Sequence, residues 1–381
     1  MRVAVPRETA AGERRVALVP ESVAGLREAG LEVRVEAGAG AAAGIADAAY
    51  EAAGAAVVAS AAEAVAGAGV VLKVRPPLVG AGGDELAPFP EGAALIALFH
   101  PLTHPELVRR LAERRITAFS MDLVPRTTRA QPMDALSSQS TAAGYRAALV
   151  AAERLPKFFP MLMTAAGTIP PARVLVLGAG VAGLQAIATA RRLGAVVQAF
   201  DIRPAVKEQV ESLGATFVGL EVAAAEDAGG YAKQVSADVH RREQELLHDL
   251  VREADAVIAT ALIPGKPAPV LVTAEMVAAM KPGSVIVDLA AEAGGNCALT
   301  EPGVERVHQG VTIVGLTDAA SAVAVHASRM YSRNVGALLL HVLRDGELRL
   351  DFDDEITRAC CVTHAGEVLY AAAREGVRAG G

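Results

Sequence analysis

The stretch VLVLGAGVAGLQAIATARRLGAVVQAFD, from Val174 to Asp201, decides the fold of this chain. It begins as an apolar strand, turns through three glycines in the pattern GxGxxG, continues as an alanine-rich helix and ends in a second apolar strand that finishes on an acid. A glycine pattern between two strands and at the start of a helix, with an acid about 20 residues further on, is typical of a dinucleotide-binding βαβ unit. The sequence therefore predicts such a unit here.

The glycines and the acid of this unit are predicted to have separate roles. Gly178 makes the tight turn, Gly180 lets the backbone approach a pyrophosphate, and Gly183 lets the helix pack closely on the strand. The N-terminus of the helix offers free N–H groups and the positive end of its dipole to the phosphates. Asp201 is placed to accept hydrogen bonds from both hydroxyls of the adenosine ribose. A glycine-tight turn without a ligand is the alternative interpretation.

The acid also predicts which nicotinamide cofactor binds. A carboxylate at the end of the second strand repels a 2′-phosphate, so NAD is favoured over NADP. Arg203 lies two residues later, and a guanidinium there could hold that phosphate. We interpret Arg203 as a solvated arginine before Pro204, so the prediction stays with NAD.

Composition excludes several classes of protein. The net charge is −7, which argues against nucleic acid as a partner. No uninterrupted apolar run reaches the roughly 18–20 residues that a membrane span needs, and the N-terminus MRVAVPRE is typical of a first strand rather than a signal peptide. The three cysteines lack metal-ligand spacing, so no metal site is predicted and a cytoplasmic protein is expected.

Apolar and helical stretches alternate in two arrays along the 381 residues, which predicts parallel sheets covered by helices. The first array has strands at Arg2–Val5, Glu32–Glu36, Val70–Val74, Ala94–Leu98 and Thr117–Ser120. The second array continues the glycine-rich unit with strands at Thr216–Val218, Ala256–Ala259, Ser284–Asp288 and Thr312–Val314. Long helices are predicted at Ser137–Leu155 and Val325–Leu343.

This order predicts an α/β protein of two Rossmann-like doubly wound parallel-sheet domains joined by two long helices. The NAD(H)-binding domain is expected at 137–324. The N-terminal domain is expected at 1–136, completed by the C-terminal segment 325–381. In doubly wound folds a nucleotide binds at the carboxyl ends of the strands, so we expect the cofactor in the cleft between the domains.

The loop RTTRAQPMDALSSQ, which begins at Arg126, carries more polar groups than a connector requires. Arg126 could donate two hydrogen bonds to a phosphate or a carboxamide, and Gln131 could reach a second ligand. Asp134 and Ser137 could hold the loop or an amide. On the residues alone, a helix entry capped by Asp134 or Ser137 is an equally good interpretation.

Several segments together resemble the NAD(H)-binding subunit of proton-translocating NAD(P) transhydrogenase, over nearly the whole chain. They are PRTTRAQPMDALSSQSTAAGYRA (125–147), the stretch 168–215 around the glycine pattern, Gly229–Lys233, TALIPGKPAP (260–269) and MKPGSVIVDLAAEAGGNC (280–297). By this resemblance the cofactor-binding residues are Arg126, Thr127, Gln131, Pro132, Met133, Asp134, Ser137, Gly178, Gly180, Val181, Gly183, Asp201, Ile202, Arg203, Gly230, Tyr231, Thr260 and Leu262.

The resemblance implies one half of a hydride-transfer enzyme. NADH would be presented for direct hydride transfer to NADP⁺ on a separate subunit, and transmembrane partner subunits would couple the transfer to proton translocation. Gln131 would orient the rings, with Arg126 and Asp134 as further catalytic candidates, and Tyr231 would close over the nucleotide. A homodimer, held by its partners at the cytoplasmic side of the inner membrane, is also implied.

Alanine dehydrogenase, which shares this two-domain frame, is the alternative enzyme. Arg15, Lys73 and His100 fall where that enzyme keeps its substrate arginine, its lysine and its catalytic histidine. The second acid of its VDIAxD-like motif is here Glu292, however, and its loop at Arg126 differs. We therefore expect Arg15 and Lys73 to be paired at the domain surface and His100 to be a capping or partly buried residue. A nicotinamide-binding module without turnover is a third hypothesis.

Overall fold

A computed structural model describes residues 1–80, 83–219, 237–263 and 265–379. The chain divides into two compact units, the first formed by Met1–Gln139 with Ser321–Gly381 and the second by Ser140–Ala320. Each unit is built on its own sheet.

The strands and helices alternate along most of the chain. The strands are β1 Arg2–Val5, β2 Glu32–Glu36, β3 Ala56–Val58, β4 Val70–Leu72, β5 Ala94–Ala97, β6 Thr117–Ser120, β7 Leu162–Thr164, β8 Gly167–Ile169, β9 Arg173–Leu177, β10 Val196–Phe200, β11 Thr216–Val218, β12 Ala256–Ala259, β13 Val285–Asp288, β14 Glu305–His308, β15 Val311–Gly315, β16 Leu343–Arg344, β17 Glu347–Leu348, β18 Cys361–His364 and β19 Glu367–Val368. The helices are α1 Pro20–Glu28, α2 Asp47–Ala52, α3 Ala61–Val65, α4 Pro105–Glu113, α5 Ala135–Arg154, α6 Val181–Arg192, α7 Lys207–Ser212, α8 Ala237–Glu253, α9 Ala274–Ala279, α10 Ala324–His341, α11 Glu355–Cys360 and α12 Ala371–Ala379.

In the first unit the sheet order is β19-β18-β6-β5-β4-β1-β2-β3. The six strands from β6 to β3 are parallel, and β18 from the C-terminal segment pairs antiparallel with β6. The central strands β4, β5 and β6 are buried along their whole length, as expected for a sheet covered on both faces. The strands β3, β18 and β19 were not predicted, because they are short and lack a long apolar run.

The predicted strand Val70–Val74 ends early, at Leu72. Lys73 still donates its backbone N–H to the carbonyl of Ile96, but the N–H of Val74 donates to the carboxylate of Glu8 at 2.6 Å. The strand therefore ends because a side chain from a distant part of the chain takes the next backbone donor.

In the second unit the sheet order is β11-β10-β9-β12-β13-β15-β14. All pairs are parallel except β14 with β15, a hairpin that turns through Gln309 and Gly310, both at positive φ. The chain winds outward from β9 to β11, then returns to β12 on the other side of β9. The two parallel-sheet domains of the predicted α/β fold are confirmed, while the antiparallel hairpin was not foreseen.

Helix α5 lies against the start of α6 in the second unit through Gly144. A Cβ atom added to Gly144 would stand 2.0 Å from the carbonyl oxygen of Ala182 and 2.8 Å from its carbonyl carbon. Backbone atoms cannot rotate away as a side chain can, so only glycine permits this approach.

Replacing Gly144 by alanine is expected to destabilise the second unit by about 1–3 kcal/mol, since the added methyl forces the two helices apart. Chemical denaturation would measure the loss. Gly25→Ala in α1 is the matched control, because that exposed helical glycine has nothing within 4 Å of its added Cβ among the described residues. The control should stabilise by about 0.5–1 kcal/mol. Equal effects of the two substitutions would contradict the steric explanation.

Candidate functional site

The glycine pattern forms a compact turn between β9 and α6. Gly178 has φ +91°, and Gly183 lies so close to the turn that its Cβ would stand 1.9 Å from the Gly178 carbonyl oxygen. Gly180 is different, since it has an extended backbone at φ −75° and no described protein atom within 4 Å of its added Cβ. The protein itself requires glycine at 178 and 183, but it leaves open space at 180.

The turn lies where a doubly wound sheet is expected to bind a ligand. Strand β9 stands between β10 and β12, the point at which the winding direction reverses. Helix α6 starts at Val181, and its N-cap residue Gly180 provides no side chain to cap the first N–H groups. These groups and the dipole of α6 make the turn suited to an anion.

The loop after β12 is fastened to this turn by Thr260. Its hydroxyl lies 3.1 Å from the carbonyl of Leu177 and 3.0 Å from that of Gly178. Leu262, further along the loop, is half exposed. Two predicted cofactor segments that are about 80 residues apart in sequence thus meet at one edge of the sheet.

Asn296, which the sequence analysis did not single out, holds the loop after β12 from beneath. Its buried amide accepts from the backbone N–H of Ala261 at 2.9 Å and donates to the carbonyls of Ala261 and Pro269. A lone asparagine between Gly295 and Cys297 carries no signal for this, because its partners are distant in sequence.

Asp288 fastens the segment that carries Asn296. The carboxylate of Asp288 is fully buried and accepts from the backbone N–H groups of Ala290, Asn296 and Cys297 and from the hydroxyl of Thr300, at 2.7–2.9 Å. Asp288, the acid that ends β13, is therefore a structural residue, while Glu292 lies in the short 3-10 helix Ala291–Ala293.

Asp201 lies beside the glycine turn, as predicted, but its carboxylate is already engaged. Its Oδ2 accepts from the backbone N–H of Ala179 at 2.8 Å, and its Oδ1 accepts from the backbone N–H of Arg203 at 2.9 Å. The guanidinium of Arg203 donates to both oxygens, from Nε at 3.0 Å and from a terminal nitrogen at 2.9 Å. The expectation of a solvated Arg203 is wrong, because only 16% of its side chain is exposed and it forms an ion pair with Asp201.

The loop from Arg126 to Ser137 belongs to the first unit, where it forms the 3-10 helix Thr128–Met133 and the start of α5. Ala130 and Met133 are buried in the core of that unit, while Arg126 and Gln131 are exposed. The chain thus anchors the loop with two apolar side chains and presents Gln131 between them. Within the described residues the Gln131 side chain makes no hydrogen bond.

Asp134 caps the N-terminus of α5, as in the capped helix entry that was one of the two interpretations of this loop. Its carboxylate accepts from the backbone N–H of Ser137 at 2.9 Å and from the Ser137 hydroxyl at 2.5 Å. Asn334 of α10 adds a second fixing point that sequence reasoning missed. Its amide donates to the carbonyl of Pro132 at 2.8 Å and accepts from Ser138 at 2.7 Å.

Arg15 and Lys73 are paired, as expected, but they are buried rather than at the surface. Arg15 donates to both carboxylate oxygens of Glu13 and to the side-chain carbonyl of Gln139 at 2.8 Å. Burial alone would raise the pKa of Glu13, but hydrogen bonds and charge from Arg15 lower it to about 2. The surface prediction is wrong because charged residues were assumed to be solvated, whereas these are compensated inside the unit.

Lys73 lies between two acids. Its Nζ is 3.1 Å from Glu85 and 3.4 Å from Glu8. Burial raises the pKa of Glu8 above its ordinary value, although the Lys73 charge opposes the shift. His100, expected to be a capping or partly buried residue, has a side chain that is 48% exposed and a backbone φ of +45°. Its Nδ1 lies 3.7 Å from a carboxylate oxygen of Asp122.

Of four further predicted cofactor-binding residues, two lie outside the described part of the chain and two lie beside the glycine turn. Gly230 and Tyr231, the proposed lid, fall between residues 219 and 237. Ile202 is half-buried beside Asp201, and Val181 is partly exposed at the start of α6.

Among the described residues no helix has the length and apolarity needed to cross a membrane.

Family models match both units of the chain. The family model "Alanine dehydrogenase/PNT, N-terminal domain" matches residues 4–143, and "Alanine dehydrogenase/PNT, C-terminal domain" matches residues 147–371. An NAD(P) transhydrogenase alpha subunit of Rhodospirillum rubrum is 54% identical over 297 residues, which cover 76% of this chain and 77% of that protein.

Two solved structures share the fold over nearly the full length. The crystal structure of transhydrogenase from Sinorhizobium meliloti has a TM-score of 0.88 and 45% sequence identity, covering 97% of this chain and 100% of that one. A structure of L-alanine dehydrogenase has a TM-score of 0.83 and 29% identity, covering 98% of each chain. With both family models matched in order and the Rhodospirillum relative covered over three quarters of its length, this chain belongs to the alanine dehydrogenase/PNT family and, within it, to the NAD(P) transhydrogenase alpha subunits.

Proposed function

We propose that this chain is the NAD(H)-binding component of a proton-translocating NAD(P) transhydrogenase. It presents NADH for direct hydride transfer to NADP⁺ on a separate subunit, and transmembrane partner subunits couple the transfer to proton movement. The observation that carries the proposal is Gly180 at the turn between β9 and α6. Its φ of −75° is open to any residue, and no described protein atom lies within 4 Å of a Cβ added there, so the protein itself does not require glycine at this position. The missing side chain leaves room for a ligand.

The surrounding groups fit a dinucleotide. The uncapped N-terminus of α6 faces the space at Gly180 and suits a pyrophosphate. Asp201 stands at the end of β10, the position of the ribose-binding acid in dinucleotide folds. Val181 and Leu262 are exposed apolar side chains at the same edge of the sheet and can contact apolar parts of the cofactor.

The exposed loop of the first unit has the groups for the nicotinamide end. Gln131 has a free carboxamide and stands between two buried anchors, so its position is held while its amide remains available for a ligand. Arg126 and Asp134 fix the carboxamide and the ribose, while Thr127, Pro132, Met133 and Ser137 complete the loop. Bound NADH supplies the hydride, and the chain contributes position and exclusion of water.

The buried ion pairs favour this function over alanine dehydrogenase. Arg15 has three of its donor positions satisfied by Glu13 and Gln139, and Lys73 is held by two acids. A substrate carboxylate would have to compete with all of these partners. Alanine dehydrogenase remains the second candidate, because the structure of L-alanine dehydrogenase superposes with a TM-score of 0.83.

The hairpin of β7 and β8 supports a homodimer. Among the described residues its two strands pair only with each other, and Met161 and Met163 are 57% and 79% exposed. An isolated two-stranded hairpin with apolar side chains in water is marginally stable. A second copy that covers these side chains would remove their apolar surface from water. The dimer is proposed to act at the cytoplasmic side of the inner membrane, held there by its partner subunits.

Purified chain is expected to bind NADH, to show no NAD-dependent oxidation of L-alanine, and to restore transfer from NADH to an NADP analogue when mixed with membranes that hold the partner subunits. Absorbance of the reduced nicotinamides follows both reactions. Steady L-alanine turnover without partners would instead establish the dehydrogenase and give Arg15, Lys73 and His100 a catalytic role.

Shortening Gln131 by one methylene, in Gln131→Asn, is expected to lower the transfer rate at least about tenfold while the Kd for NADH changes less than about threefold, because the residue orients rather than anchors the cofactor. Stopped-flow transfer and equilibrium binding separate the two quantities. Thr128→Ser, at an exposed position of the same loop, is the control. Equal losses of rate and affinity would show that Gln131 only binds.

Met163→Glu is expected to convert the dimer to a monomer, since it places a charge in the covered apolar face. Sedimentation or light scattering measures the mass. Val307→Glu is a matched control on β14, where the side chain is 69% exposed. A wild-type monomer, or a dimer that survives Met163→Glu, would contradict the hairpin interface.

A further inference from the structure

The carboxylate of Asp201 has no acceptor position left for a ribose. A carboxylate accepts about four hydrogen bonds through its two oxygens. Asp201 already accepts four, two from the backbone N–H groups of Ala179 and Arg203 and two from the Arg203 guanidinium. The acid predicted to bind both ribose hydroxyls is therefore saturated.

Two of these four donors can leave and two cannot. The N–H of Ala179 belongs to the glycine turn and that of Arg203 to the chain directly after β10, so the backbone holds both in place. The guanidinium is carried by a flexible side chain, beside the exposed residues Pro204 and Ala205. A ribose with two hydroxyls needs two acceptor positions, the same number that the guanidinium occupies.

We propose that Arg203 sets the cofactor selectivity of this site by exchanging with the ribose on Asp201. The proposal rests on the proposed function, since it takes Asp201 as the ribose-binding acid. Binding of the adenosine ribose displaces the guanidinium from the carboxylate to the adjacent rim. Arg203 thus competes with the ribose of every nicotinamide dinucleotide.

Arg203 has a second effect on a ribose that carries a 2′-phosphate. Its positive charge compensates the Asp201 carboxylate, which by itself would repel the phosphate. The displaced guanidinium also remains close enough to offer two parallel N–H groups to a phosphate. Arg203 therefore weakens NADH binding through competition and strengthens NADPH binding through its charge. It thus reduces the difference in affinity between NADH and NADPH.

The test compares equilibrium binding of NADH and NADPH to the purified full chain and to Arg203→Ala. The ratio of the two Kd values, NADPH over NADH, is expected to rise about tenfold in Arg203→Ala, with NADH binding tighter and NADPH binding weaker. Arg203→Lys keeps the charge but not the planar fork and should give an intermediate ratio. Arg192→Ala, which removes an exposed arginine of α6, should leave the ratio unchanged.

Thermal unfolding without nucleotide gives an independent readout. Arg203→Ala leaves a buried carboxylate without its cation, so its Tm should fall, while Arg203→Lys should retain most of the wild-type Tm. If Arg203→Ala does not fold, the ratio of the NADPH and NADH Kd values in Arg203→Lys tests the proposal instead. If the ratio of the two Kd values is unchanged in the folded variants, because both Kd values stay the same or shift by the same factor, the role of Arg203 is overturned.

Failure of the proposed function has a different signature. If the wild-type chain binds neither nucleotide, NAD(H) binding itself is refuted and the selectivity proposal with it. If the wild type binds NADH and Asp201→Asn weakens that binding, the site stands. An unchanged ratio in the Arg203 variants then refutes the exchange alone.

Discussion

The close approach of α6 to the end of β9 is the constraint on which the second unit depends. Gly183 stands against the carbonyl of Gly178, and any side chain there would collide with fixed backbone. Thr260 then bonds the same turn from β12, and Gly144 lets α5 reach the start of α6. Small residues and one hydroxyl thus place the uncapped helix N-terminus at the point where the sheet reverses its winding.

Buried charge is handled differently in the two units. In the first unit Arg15 and Lys73 are enclosed by acids that also bond backbone N–H groups, so the ion pairs fasten the N-terminal segment and the end of β4. In the second unit Asp201 is paired with an arginine two residues away, next in sequence to the exposed residues Pro204 and Ala205. The first ion pairs hold backbone segments in place, and the second is the ion pair that we propose a ribose displaces.

Much of the fold could be predicted from local pattern. The strands Arg2–Val5 and Thr117–Ser120 lie where the sequence predicts them, because a strand buried on both faces appears as a short, largely apolar run. Glu32–Glu36 was found by a different pattern, since its two valines alternate with charged residues. The strands that were missed are short or half-polar. β18 pairs with β6 across more than 200 residues, and β14 at the sheet edge has a single apolar residue, Val307.

By itself the sequence determined the two βα arrays, the glycine turn with its acid, and the membership in a family that the comparisons confirm. These features depend on residue type and spacing within one unit of secondary structure. Only the tertiary structure decided that Asn296 and Asp288 support the loop after β12, that Arg15 and Lys73 are buried, and that Arg203 saturates Asp201. The partners of a polar side chain depend on the folded geometry, both for residues far apart in sequence, such as Asn296 and Ala261, and for neighbours such as Asp201 and Arg203. No local pattern records that geometry.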